Sequence, residues 1–134
     1  MKFGYKKLSS GVIRPIIPIE VKFKDKVVRY FALIDSGADL NIFHSEIAEL
    51  LGLDVTQGEE CLVSGITQGE VQKYYVHQVS LIVGGWTYQT KVGFMPTLSK
   101  IGHGLLGQNG FFDLFKSVKF EFGKKEIELK DKNW

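Results

Sequence analysis

Apolar and polar residues alternate from Ile16 to Phe23, the pattern of a strand with one buried face. Lys24-Asp25-Lys26 is a polar turn, and Val27 to Ile34 reads as a second strand that folds back on the first as a hairpin. Phe31 to Ile34 are apolar on both faces, so this end is expected to sit deep. The period then changes. Ile47, Leu50 and Leu51 mark one helical face, with Ser45 and Glu46 opening the helix and Gly52 closing it as a left-handed cap. Strands return at Glu60 to Ser64, Val71 to Val83 and Thr87 to Phe94, and Gly84-Gly85 signals a tight hairpin between the last two. Leu105-Leu106 is a short apolar strand between glycines, and residues 109–115 read as a short helix. Val118 to Phe122 and Ile127 to Leu129 form a last hairpin around Gly123-Lys124-Lys125. The expected fold is a mostly-β single domain over residues 1–134, a barrel or sandwich with two short helices.

Composition narrows the function. A length of 134 residues suits one domain that can bury a core without staples. A net charge of +2, with the lysines scattered, argues against nucleic acid or an anionic membrane surface as partner. Cys61 is the sole cysteine, so no intrachain disulfide can form. No apolar run reaches the length of a membrane span, and a soluble cytoplasmic protein is the expectation. His44, His77 and His103 lack metal-ligand spacing and read as surface or satisfied histidines, while Cys61 reads as a packing residue. No metal and no cofactor is expected. Phe111, Phe112, Leu114 and Phe115 read as core, and Trp86 as rim or pocket.

One position asks for a chemical explanation. Phe31-Ala32-Leu33-Ile34 runs straight into Asp35, followed by Ser36, Gly37, Ala38 and Asp39. Asp-Ser-Gly is ordinary turn chemistry, since Asp bonds its own backbone and Gly accepts unusual dihedrals. A turn fed by four apolar residues should however be buried, and burying an isolated carboxylate is costly. Such a group needs donors or a proton-sharing partner, which makes Asp35 a functional candidate.

Here the chain resembles the retropepsin-like aspartic proteases. Their apolar run followed by Asp-Thr/Ser-Gly-Ala is matched by Ala32-Leu33-Ile34-Asp35-Ser36-Gly37-Ala38. Their downstream apolar-apolar-Gly is matched by Leu105-Leu106-Gly107, and the glycine-bearing flap hairpin between them by Gly65-Ile66-Thr67-Gln68-Gly69. Leu51-Gly52-Leu53 fits the end of a helix that recurs in cellular and bacterial members, and the likeness spans about residues 14–130. The resemblance implies a retropepsin-like closed β-barrel and an aspartic endopeptidase acting on extended polypeptide. Two carboxylates would share one proton and activate a water between them, with no covalent intermediate. With a single Asp-Ser-Gly in the chain, the second carboxylate would come from Asp35 of another copy in a homodimer.

By the same resemblance Asp35, Ser36 and Gly37 are the catalytic turn: Ser36 would bond backbone across the axis and Gly37 would offer its carbonyl to substrate. Ala38 would stay small beside the substrate and Asp39 would bind its main chain. Residues Gly65, Ile66, Thr67, Gln68 and Gly69 would close over the peptide. Gln108-Asn109-Gly110 departs from the family, which often has Arg or Met, then Asp or Asn, after Leu-Leu-Gly. Gln108 would then give Asp39 only a neutral hydrogen bond. A retropepsin-like domain used as a dimerising or peptide-binding module, with little turnover, is the alternative reading.

Overall fold

The computed structural model describes residues 1–64, 71–98 and 102–133. In chain order the strands are β1 (Lys2–Gly4), β2 (Lys6–Lys7), β3 (Ile13–Arg14), β4 (Ile16–Phe23), β5 (Lys26–Ile34), β6 (Ile42–His44), β7 (Glu59–Ser64), β8 (Val71–Val83), β9 (Trp86–Met95), β10 (Gly104–Leu106), β11 (Phe115–Glu121) and β12 (Glu126–Asp131). A single-turn helix, α1 (Ser45–Leu50), and 3-10 turns at Val55–Gln57 and Phe112–Leu114 complete the described elements. The fold is mostly β, as the alternation predicts.

β4 and β5 form the expected hairpin, in register from Ile16↔Leu33 to Phe23↔Lys26. The main sheet runs β4-β5-β10-β6-β9-β8-β7, and β4 also pairs with β8, so the succession of pairings returns on itself. The length of β8 makes this possible. Its first half pairs with β7, its second half with β9, and Ser80–Ile82 reaches β4 on the other edge. Period-two burial follows: Ile17, Ile19, Val21, Val79, Leu81, Val83, Val92 and Phe94 point inward, while Pro18, Lys22, Gln78 and Lys91 face solvent. Phe43 is fully buried and meets Tyr30 and Phe94 edge-to-face, at centroid distances of 5.1 Å and 6.3 Å. Truncating such a ring to Ala typically costs about 3–5 kcal/mol.

α1 opens at Ser45 as read, and its cap is the preceding His44, whose Nδ1 accepts the Glu46 N–H at 2.9 Å. Ile47, Ala48 and Leu51 are buried, whereas Leu50 is 55% exposed, because a step of one residue from Leu51 turns a side chain about 100° around the axis. Gly52 closes the helix with φ of 77°, as expected.

The N-terminal strands carry no alternating signal and were not expected. β1 is held by a strand from the far end of the chain: a second sheet has the order β1-β12-β11, with Phe3 opposite Ile127. The Met1 ammonium donates to the Leu129 carbonyl at 2.9 Å, and Leu129 N–H donates back to the Met1 carbonyl at 2.8 Å. The C-terminal hairpin is longer than its apolar core suggests because Phe115 to Ser117 also pair with Lys130 and Asp131.

Candidate active site

Asp35 follows the last residue of β5, and its N–H donates to the Leu106 carbonyl at 3.0 Å. β10 lies between β5 and β6, parallel to the first (Leu106↔Ile34) and antiparallel to the second (Leu105↔Ile42). The chain thus leaves β5, turns through residues 35–41 and returns on the other side of β10. This placement explains Leu105-Leu106: a strand threaded between two others must be apolar, and Leu106 is fully buried.

The turn itself is built by its aspartate. Oδ1 of Asp35 accepts the Gly37 N–H at 2.9 Å, and the Asp35 carbonyl accepts the Ala38 N–H at 3.1 Å. A Cβ on Gly37 would come within 3.2 Å of Oδ1, tighter than most side chains tolerate. The loop after β10 locks onto this turn. Gln108 N–H donates to the Ala38 carbonyl and Asn109 N–H to the Asp39 carbonyl, each at 2.9 Å. Gln108 Nε2 donates to the Ser36 carbonyl at 2.7 Å. The lock requires glycine at 107, where a Cβ would sit 2.6 Å from the Leu40 carbonyl oxygen and 2.7 Å from that of Ala38.

Behind the two loops lies Asn41, wholly buried. Its Oδ1 accepts the Gly107 N–H at 3.0 Å and its Nδ2 donates to the Lys91 carbonyl at 3.1 Å, joining both loops to β9. Thr90 Oγ1 donates to the Gly110 carbonyl at 2.6 Å, and Gly110 N–H donates to Asp113 Oδ1 at 3.0 Å. Asn41 escaped the sequence reading. Its signal is a lone carboxamide in Asp39-Leu40-Asn41-Ile42-Phe43, where a buried polar group must be satisfied.

Residues 35–39 come together as one loop, but not at the depth expected. Ala32 and Ile34 are buried, while Asp35 and Ala38 are half-buried and Ser36, Gly37 and Asp39 are exposed. Only alternate members of the apolar run reach the core, since Phe31 is 46% exposed and Leu33 half-buried, and the turn projects from the end of β5 onto the surface of the chain. The side chain of Gln108 also differs from expectation: it holds the Ser36 carbonyl rather than the Asp39 carboxylate. Gly65, Ile66, Thr67, Gln68 and Gly69 lie outside the described residues. They join β7 and β8, whose paired arm exposes Leu62, Val63 and Val71.

Nearby on β8, the Tyr74 ring occupies the space above Gly93, where a Cβ would fall 2.6 Å from it. Burial, then the neighbouring Cys61 and the charges of Asp39 and Glu59, push the Tyr74 phenol up. The histidines are satisfied separately: His44 caps α1, His77 Nε2 lies 2.9 Å from the Val55 carbonyl, and His103 Nδ1 lies 3.1 Å from that of Gly104. Among the described residues no cluster of His, Cys, Asp and Glu could hold a metal. No helix among them is long and apolar enough to cross a membrane. A concavity of about 570 Å³ lies over β4, β5 and the Gly84-Gly85 turn, and Asp35 does not line it. Asp35 is thus a half-buried carboxylate on a turn tied by backbone hydrogen bonds to β10 and to the loop after it.

Comparison with known proteins agrees with this geometry. The family described as aspartyl protease matches residues 19–109, which include both loops. No curated protein matches the chain. Among solved structures, a retropepsin-like aspartic protease from Rickettsia conorii superposes with a TM-score of 0.66 at 20% identity, covering 96% of this chain and 89% of that one. The EIAV protease complexed with the inhibitor HBY-793 gives a TM-score of 0.49 at 19% identity, over 70% of this chain and 81% of that one. The chain belongs to the aspartyl protease family and has the retropepsin-like fold.

Proposed function

We propose that the chain is an aspartic endopeptidase that works as a homodimer, with the Asp35 carboxylates of two copies facing each other across a two-fold axis. The observation that carries this reading is the interlocked pair of loops around Asp35. A carboxylate rests on a turn tied to a threaded apolar strand, and it is presented at the surface of a chain that contains no second Asp-Ser-Gly. An isologous contact between two such turns supplies the missing acid.

Two like charges a few ångströms apart cannot both ionise, so the pair holds one proton. The ionised member takes a proton from a water held between them. The other protonates the carbonyl oxygen of the scissile peptide as the water attacks its carbon. The carboxyl that took the water's proton then passes it to the peptide nitrogen while the other reclaims a hydroxyl proton, so collapse of the tetrahedral diol expels the amine with no bond to the protein. Substrate lies as an extended strand against the β7–β8 arm, where the exposed Leu62, Val63 and Val71 suit apolar side chains. Ser36, Gly37, Ala38 and Asp39 line the floor of that cleft.

The test is Asp35→Asn, which preserves the shape of the turn and its acceptor for Gly37 N–H. Cleavage of a peptide library is expected to fall below detection while peptide binding persists. Unchanged behaviour in every assay would favour a dimerising or peptide-binding module instead.

A further inference from the structure

Taking Asp35 as the catalytic carboxylate of the reading above, we propose that Gln108 is the positioning residue of its turn. The carboxamide of Gln108 fixes the Ser36 carbonyl, and through it the Gly37 N–H that holds Asp35.

The argument rests on one peptide unit. The Ser36 carbonyl and the Gly37 N–H belong to the same planar group and point in opposite directions. Gln108 Nε2 holds one end of it at 2.7 Å, and Asp35 Oδ1 accepts from the other at 2.9 Å. Rotation of this plane is the soft motion of a tight turn, and the glycine on its far side removes the steric barrier to it. Were it to rotate, the N–H would swing off Oδ1 and the carboxylate would lose its orientation. Gln108 is itself well anchored, since its N–H donates to the Ala38 carbonyl and its carbonyl accepts the Asp113 N–H at 3.2 Å. A carbonyl oxygen only accepts, so the nitrogen of the carboxamide must face Ser36. The side chain reaches across 72 positions of sequence, is exposed and adds nothing to the core. Its role is therefore separable from folding. The clasp is also neutral, so it persists over the whole acid range in which carboxylates change charge.

Three variants read this role. Gln108→Leu removes the donor and is expected to lower kcat roughly three- to tenfold, the effect of one neutral hydrogen bond, with KM and the thermal midpoint little changed. Gln108→Lys retains a donor and is expected to restore kcat. Gln108→Glu donates only when protonated, so its rate should approach that of the parent in acid and fall as pH rises past about 4.3. An unchanged kcat in Gln108→Leu, a Gln108→Lys variant as impaired as Gln108→Leu, or a Gln108→Glu profile parallel to the parent would each overturn the proposal and leave the protease reading standing.

If the parent protein cleaves no peptide, the protease reading fails, and amide exchange at Gly37 still reads the clasp. Exchange should be faster in Gln108→Leu than in the parent and return to the parental rate in Gln108→Lys. Equal rates in all three would overturn it.

Discussion

The buried carboxamide of Asn41 accepts the Gly107 N–H at 3.0 Å, so a side chain from the loop after Asp35 satisfies the backbone of the loop that locks it. Replacing Asn41 with Leu strands the buried Gly107 N–H and removes the donor to the part-buried Lys91 carbonyl. Each unsatisfied group costs about 1–3 kcal/mol. Urea denaturation of Asn41→Leu is therefore expected to show a loss of about 2–4 kcal/mol. Asn41→Asp keeps the acceptor for Gly107 but sets a buried carboxyl oxygen against the Lys91 carbonyl, so it should be destabilised as well. Equal stability of Asn41→Leu and the parent would mean the two loops are held by other contacts.

Gly107→Ala tests the lock sterically. The added Cβ meets two carbonyl oxygens, those of Leu40 and Ala38, and backbone cannot move aside as a flexible side chain can. The loops must separate, at a cost of about 2–3 kcal/mol or more. The control is Gly85→Ala, at a turn glycine with open space around it and φ of 85°, where only backbone strain opposes the methyl group. Denaturation should rank Gly107→Ala as the more damaging; the reverse order would contradict the close approach.

Alkaline stability reports on Tyr88. Burial, and then the hydrogen bond from its hydroxyl to Asp131 Oδ2 at 2.8 Å, push this phenol well above its ordinary range. The folded chain keeps a proton that the unfolded chain gives up above about pH 10. Stability is thus undiminished below that pH and falls as pH rises further. Tyr30, pushed up mainly by burial, adds to the same slope. Tyr88→Phe should flatten the decline between pH 9 and pH 11, measured by denaturant midpoints, as an order-of-magnitude effect of one proton. An identical slope in the variant would show that Tyr88 is not the group concerned.

The parts of this fold legible in the sequence are those where one strand face is buried. Ile16 to Phe23 alternate because a core lies on one side, and the hairpins read over Ile16 to Ile34 and Val71 to Phe94 pair in the structure as read. Lys2 to Gly4 were illegible because their pairing partners lie at the far end of the chain, and Lys6-Lys7, which pair locally with Ile13-Arg14, because none of these side chains is buried. His44 was passed over as a cap because imidazole is seldom used there, although its Nδ1 can accept as a hydroxyl does. Within the candidate site, Asp35 stood out because four apolar residues run into it, and Gly107 through the resemblance carried by Leu105-Leu106-Gly107. Asn41 and the true contact of Gln108 did not, since a carboxamide is silent about its partner until the loops are in space.

The central claim is that one active site takes Asp35 from each of two copies. It is tested most directly by mixing the parent protein with Asp35→Asn at constant parent concentration while following peptide cleavage. A dimer that exchanges protomers should lose activity as the variant is added, because each mixed pair has one carboxylate, and the rate of the parent alone should fall faster than linearly on dilution. A rate that ignores the added variant and scales linearly with parent concentration to the lowest measurable level would contradict the account.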